Sequence, residues 1–365
     1  MHNCLICKNT LKNFVFKIKT CVAPMAIKLA PLKLMYCKSC GHLQKRIDDV
    51  WHNNMSNLYE KKYIFIGKHI TVKKNKVFDR NFLIVKLLDK YLKLNKNGKL
   101  LDIGCGAGHF IKSFSEQKKS WELYAHDLTN LNKKIVDQYK VKKFYTGNVE
   151  KINKKFDLIS LNHVVEHLIE PRKVLNHVNS ILNDNGRLII RLPNIKTVHN
   201  DLTVLDHCSH FTKKSLENLL ILSGFKVEKF FNNFNKAELF VIAYKNKKKK
   251  VNISFSEINK KDIFNLLWLD RVYKKINEEK NKNIGLFGVG TSTFYLYAKL
   301  KNKIRFFVDE DSSKVGEYYY NRKIYSVSDA PRNSKVYIAV QNISESKKIK
   351  KRLKKENKFI NFIEG

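Results

Sequence analysis

The stretch Lys99-Leu100-Leu101-Asp102-Ile103-Gly104-Cys105-Gly106-Ala107-Gly108-His109-Phe110-Ile111 decides the fold class. A short apolar run leads into three glycines at alternate positions, and a pattern of helical period follows. Glycine lets a strand turn sharply into a helix, and it lets a ligand lie against main-chain N–H groups at the helix start. Strand, glycine turn and helix in that order open a Rossmann-like α/β sheet that cradles a nucleotide-type cofactor. The loop alone does not choose the cofactor, because dinucleotide-binding domains use similar turns. Asp102, just before the glycines, adds a carboxylate suited to a cationic ligand group such as the ammonium of a methionine moiety.

Outward from this turn the alternation of strand and helix continues over residues 76–245, which implies a parallel sheet with helices on both faces. The next strand, Trp121 to Ala125, leads to Asp127, placed where an acidic side chain accepts both hydroxyls of a ribose. Asn148 follows Tyr145-Thr146-Gly147, where an amide can meet an adenine amine. Phe156-Asp157-Leu158-Ile159-Ser160-Leu161-Asn162-His163 reads as the fourth strand and its end, and Asn162 joins the cofactor-binding candidates. Val164-Val165-Glu166-His167-Leu168-Ile169-Glu170-Pro171 comes next, then a helix and the strand Gly186 to Asn194.

With these residues in place, roughly 150 residues resemble the class I S-adenosylmethionine-dependent methyltransferases. The D-I-G-C-G-A-G-H-F loop and the V-V-E-H-L-I-E-P segment carry the likeness together. It implies S-adenosyl-L-methionine as cofactor, held by Asp102, Gly104, Gly106, Gly108, Asp127, Asn148 and Asn162. An NAD-binding domain or a non-catalytic relic of the fold is the bland alternative.

The N-terminal part, residues 1–75, holds Cys4-x-x-Cys7 and Cys37-x-x-Cys40, four of the seven cysteines. Two such pairs present four thiolates to one tetrahedral ion and read as a structural zinc module followed by a connecting helix. Four sulfur ligands leave no open position, so catalysis at this ion is not expected. Cys21 and His42 are substitutes the ligand set could draw on, though this reading takes them as bystanders. Disulfides would need more cysteines and an oxidising compartment.

Hydrophobic residues make up 43% of the 365, enough for real cores. No run approaches the roughly 18 apolar residues of a membrane span. Met1-His2-Asn3-Cys4 lacks a basic-then-apolar leader, and the chain reads as cytoplasmic. The net charge of +38 admits two readings. Lysine is spread along the whole chain and greatly outnumbers arginine, as compositional bias gives, whereas a selected surface for polyanions would favour nucleic acid or nucleotide-sugar phosphates.

The run Lys245 to Lys250 reads as a linker or an exposed hairpin, and residues 246–365 as a further domain. It has a helical stretch, Ile263 to Ile276, and a second strand-to-glycine turn, Asn283-Ile284-Gly285-Leu286-Phe287-Gly288-Val289-Gly290-Thr291. The strand Ile304 to Val308 then ends in Asp309-Glu310-Asp311, the outline of a Rossmann-like half-unit.

Methyl transfer from a sulfonium requires alignment and, for many acceptors, a base. Asp206-His207-Cys208-Ser209-His210-Phe211 follows the fifth strand on the acceptor side, so His207 and His210 are candidate bases, with His167 a third. Each has a structural alternative, such as capping the following helix. Cys105 and Cys208 read as packing residues.

The order of all three parts resembles the zinc-containing sugar-nucleotide C-methyltransferases. Pro31-Leu32-Lys33-Leu34-Met35-Tyr36-Cys37-Lys38-Ser39-Cys40-Gly41 and Val308-Asp309-Glu310-Asp311-Ser312-Ser313-Lys314-Val315-Gly316 carry this likeness. It implies a nucleotide-linked 4-keto sugar as acceptor, deprotonated at C3, with His210 in the place of the base. The family's Tyr-His-Glu-His-Phe run differs here, with Ser209 in place of its glutamate, and Asn235-Lys236-Ala237-Glu238 stands where it has His-Gly-Gly-Ser. Transfer to carbon, oxygen or nitrogen of a sugar or surface-polysaccharide precursor is therefore the expectation. Two alternatives remain. One is an RNA base methyltransferase, although Asn162-His163 lacks the Pro-Pro-aromatic grip on a base amine. The other is a non-catalytic protein whose zinc module binds a partner.

Overall fold

The computed structural model describes residues 2–11, 14–18, 21–23, 26–28, 32–49, 51–53, 55, 70–73, 76–246, 253, 267–340 and 343–365. It divides into two units that interleave along the chain. The first comprises Met1–Lys17, Lys33–Thr197 and Asp206–Ile258, and the second Ile18–Leu32, Val198–Leu205 and Asn259–Gly365. Of the tract expected to hold a connecting helix, residues 49, 51–53 and 55 are helical, with Trp51 and Met55 buried, whereas residues 56–69 and the lysines at 247–250 lie outside the described residues.

In the first unit the cysteine segment builds a small sheet from β1 (Phe14–Ile18), β2 (Leu32–Tyr36) and β3 (Leu43–Lys45). The hairpin β2–β3 carries the second cysteine pair in its turn, with Tyr36 opposite Leu43. Helix α1 (Arg80–Leu92) starts at Asp79, whose carboxylate accepts the N–H groups of Asn81 and Phe82 and satisfies two otherwise orphaned donors.

The quoted stretch forms β4 (Lys99–Ile103), a glycine turn and α2 (His109–Gln117). Then follow β5 (Glu122–Asp127), β6 (Lys143–Thr146), β7 (Phe156–Asn162), α3 (Pro171–Ile181) and β8 (Leu182–Pro193). A two-residue strand β9 (Ser209–His210), helix α4 (Lys213–Leu222), β10 (Phe225–Phe230) and β11 (Glu238–Lys245) complete the unit. The sheet order is β6-β5-β4-β7-β8-β11-β10, parallel except for β11, which runs antiparallel to both neighbours.

Strict alternation on buried strands feeds two cores. Leu101, Ile103, Ile159, Leu161, Leu188 and Ile190 meet Leu175, Val178, Leu216 and Leu219 of α3 and α4 on one face. Leu100, Leu158, Ile189, Phe240 and Ile242 meet Ile84, Leu88, Phe110 and Phe114 of α1 and α2 on the other. Cys4, Cys37 and Cys40 belong to the first of these cores. The order reverses between β4 and β7, so a crevice opens at their carboxyl ends, where ligands bind in open α/β sheets.

The second unit has its own sheet. Helix α5 (Leu267–Asn277), β12 (Ile284–Phe287), α6 (Thr291–Leu300), β13 (Ile304–Val308), β14 (Tyr318–Tyr319), β15 (Arg322–Tyr325), β16 (Lys335–Ile338), α7 (Ile343–Glu356) and β17 (Asn361–Glu364) follow in order. The strand order is β14-β15-β13-β12-β16-β17, with parallel pairing from β15 to β17. The expected helix here is described from Leu267, and its earlier residues lie outside the described set. No helix among the described residues is long and apolar enough to cross a membrane.

Candidate active site

The glycine turn is held almost wholly by main chain. Gly104, Gly106 and Gly108 have φ of 66°, 51° and 72°, values that side chains rarely adopt. A Cβ on Gly104 would stand 2.5 Å from Cγ2 of Val164, so only glycine fits there. A Cβ on Gly106 or on Gly147 would meet nothing within 4 Å. These two open positions flank the carboxyl ends of β4 and β6, and a ligand can lie directly on that backbone. Asp127 pins the turn: its Oδ2 accepts the Gly106 N–H at 2.9 Å and its Oδ1 accepts the Leu128 N–H at 2.7 Å. Leu128, next after β5, is 64% exposed, an apolar residue left in solvent beside Asp127. Asn148 is exposed and caps a short turn through the Glu150 N–H.

Asp102 lies beneath the turn, 2% exposed, and accepts from Ser160 Oγ at 2.6 Å and Asn162 Nδ2 at 3.2 Å. Burial pushes its pKa up to about 7, while these donors and Arg191 pull the other way. Asn162 links it to a buried charge network that sequence reasoning missed. The Arg191 guanidinium, 1% exposed, donates to Asn162 Oδ1, Asn81 Oδ1 and, through Nη2, Glu238 Oε2 at 3.0 Å. Arg80 closes on the other oxygen of Glu238. Against its burial, these cations and His163 hold Glu238 well below the usual carboxylate range.

His163, with φ of 56°, turns the chain out of β7. Its Nδ1 lies 3.3 Å from Glu166 Oε1 and its Nε2 3.5 Å from Glu238 Oε1. Burial opposes its charging, yet the two carboxylates win and raise its pKa to about 9.

The candidate bases separate into two places. His167 keeps about a quarter of its side chain exposed, and its Nδ1 is 3.2 Å from Asp206 Oδ2. Its ring meets that of His207 edge-on, with centroids 4.6 Å apart. Glu166 completes a group whose ligand-type atoms, one each from Glu166, His167 and His207, lie within 4.8 Å of one another. Cys208 ties the two contributing segments together, donating from Sγ to the carbonyls of Glu166 and Leu168. Burial pushes its thiol up to about 12, which keeps it protonated.

His210 is elsewhere. It is fully buried on β9, opposite Leu43 of β3. The same strand joins the cysteine module to the segment that carries His207: Ser209 pairs with Gln44, and His42 Nε2 stands 3.1 Å from Ser209 Oγ. The Lys45 N–H donates to the Cys208 carbonyl.

The four cysteines converge, with Sγ separations of 3.6 Å for Cys4–Cys40 and 3.5 Å for Cys7–Cys37. Zinc–sulfur bonds of about 2.3 Å in a tetrahedron place sulfurs roughly 3.8 Å apart, so the donor set fits a metal. The two knuckles match in detail: Lys8 and Gly41, both at positive φ, donate their N–H groups to the carbonyls of Cys4 and Cys37. His42 lies outside the sulfur group, and the Cys21 side chain lies outside the described residues.

Comparison with known proteins bears on this arrangement. Residues 78–229 match the family model described as a methyltransferase domain. No curated protein matches the sequence. Among solved structures, an S-adenosylmethionine-dependent methyltransferase from Clostridium acetobutylicum is similar at 11% identity and TM-score 0.40, over 53% of this chain and 99% of that one. A Burkholderia thailandensis 1,6-didemethyltoxoflavin N1-methyltransferase aligns at 16% identity and TM-score 0.41, over 56% and 96%. Mitomycin 7-O-methyltransferase aligns at 13% and 0.38, over 45% of this chain and 54% of its own, so this chain spans about half its length. Scores this low carry no argument about the acceptor. Residues 78–229, which carry the open glycine turn at the sheet's switch point, are thus similar to a methyltransferase domain.

Proposed function

We propose that the chain methylates a small, polar, phosphate-bearing acceptor, a nucleotide-linked sugar or a related polysaccharide precursor. The observation that carries this is Val164 lying against Gly104. Val164 is followed by Glu166 and His167, so the segment that brings these two side chains to Asp206 and His207 sets out from the glycine turn. S-adenosylmethionine supplies an electrophilic methyl group. Gly104, Gly106, Gly108 and Gly147 offer its seat, Asp127 the ribose partner, and Leu128 an apolar face for the base. Asp102 and Asn162 form the floor near the ammonium, and exposed Asn148 is the adenine-side amide. Two imidazoles and two carboxylates suit an acceptor rich in hydroxyl or keto oxygens, and the proton of the acceptor leaves at this group. His210, shut into the β9–β3 contact, serves to hold the loop. The +38 charge favours a phosphate-bearing acceptor.

Zinc in the four-cysteine site braces β9 through β3. Chelation is expected to abolish turnover while homocysteine-product binding persists.

The test is transfer of a labelled methyl group to nucleotide-linked 4-keto and hydroxy sugars, free sugars and RNA. Label in the nucleotide sugars supports the reading, and label in RNA alone overturns it. The same charge favours that second reading, and RNA binding that weakens steeply with salt would accompany it.

A further inference from the structure

We propose that Glu166, His167 and His207 form a divalent-cation site of nitrogen and oxygen donors, separate from the four-cysteine site, that seats an oxygen of the acceptor. The seating of the acceptor rests on the reading above, whereas ion binding itself does not.

Three observations converge. The ligand atoms of these residues lie within 4.8 Å of one another although they come from segments 40 residues apart. Metal–ligand bonds of about 2.0–2.2 Å place donors roughly 2.8–4.4 Å apart around one ion, so small side-chain rotations close the set. Second, the buried carboxylates are only half satisfied. Glu166 is 1% exposed and Asp206 4% exposed, yet Glu166 Oε2 and Asp206 Oδ1 have no hydrogen-bond partner. His163 at Glu166 Oε1 and His167 at Asp206 Oδ2 account for one oxygen of each. A buried carboxylate oxygen without a donor is costly, and a cation relieves that cost.

Third, Asp206 engages Nδ1 of His167 at 3.2 Å, which fixes the ring. Carboxylate–histidine–metal arrangements use this second contact to orient the ligand. Partial exposure of His167 and His207 leaves coordination positions for water or an acceptor oxygen. Two imidazoles with one carboxylate suit a first-row divalent ion such as Zn2+, Fe2+ or Mn2+. Such an ion lowers the pKa of a bound hydroxyl, or polarises a keto group next to the carbon that loses its proton.

The two sites differ in donor softness, and Co2+ alone separates them. Metal-stripped full-length protein titrated with Co2+ is expected to bind two equivalents. One shows strong sulfur-to-cobalt charge-transfer absorption, and the other shows weak ligand-field bands only. Glu166→Gln and His207→Gln should each weaken the second equivalent at least tenfold while keeping the sulfur absorption and the melting temperature. One equivalent in the unaltered protein, or a second equivalent untouched by both substitutions, overturns the site. S-adenosylhomocysteine titrated into the same samples separates the two ideas. Its binding with only one Co2+ equivalent sinks the ion site alone, whereas two equivalents without its binding sink the acceptor reading and leave the ion site standing.

Discussion

The two sides of the crevice are made of different material. On the proposed cofactor side the main chain does the holding: three glycines at positive φ, open space where a Cβ on Gly106 would stand, and one carboxylate clamping the turn. On the proposed acceptor side the side chains do it, and Glu166 and His167 meet Asp206 and His207 across a long excursion of the chain. A backbone device depends on residues close in sequence. A side-chain device depends on the tertiary fold, here on the bridge from β3 to β9 and on the Cys208 thiol. The first has no room for a Cβ at its tightest point, while the second is expected to accept isosteric substitution without loss of the fold.

Gly104→Val is the harshest way to break this contrast. A branched side chain at φ of 66° and 2.5 Å from Val164 is expected to cost more than about 4 kcal/mol, read as loss of the folded protein in thermal melting. Gly106→Ala sharpens it. Its Cβ meets nothing, so the fold should lose only about 1–2 kcal/mol. Affinity for S-adenosylhomocysteine should nevertheless fall about 100-fold, close to 2.7 kcal/mol, by calorimetry. Retained affinity would show that the open space over Gly106 is not the seat.

Asp206→Asn tests the other side. It keeps the shape and removes the charge that orients His167. Acceptor kcat/KM is expected to drop roughly 10- to 100-fold, with cofactor-product affinity unchanged. Equal losses in both would deny the separation of the two sides.

Asp102→Asn gives the smallest effect and one with a sign. Burial raises the Asp102 pKa to about 7, so the folded protein keeps a proton that the unfolded chain releases near pH 4. The native state then binds more protons than the unfolded state in this window, and this group's contribution to stability falls as pH rises from about 4 to 7. The asparagine removes that cost, and melting at pH 8 should show a gain of about 1–3 kcal/mol that vanishes near pH 4.

The legible part of the molecule follows the same division. The strand–glycine–helix unit, the alternating sheet and the paired Cys-x-x-Cys knuckles are local patterns, and they stand where the sequence reading expects them. The Arg191–Glu238–His163 network leaves no such trace, since an arginine within an apolar strand and a glutamate before another reveal nothing of their pairing. The histidines near residue 207 invite a choice by position. Only burial separates His210, enclosed on β9, from His207, which meets His167. Glu166 and Asp206 are visible as letters, and their meeting through His167 is not.

Calorimetric titration of the full-length protein with S-adenosylhomocysteine, beside the Asp127→Ala variant and an NAD control, tests the cofactor seat most directly. The account predicts one site per chain in the unaltered protein, affinity lost by at least tenfold in the variant, and no heat from NAD. Binding of NAD in place of the homocysteine product, or product binding indifferent to Asp127, would contradict it.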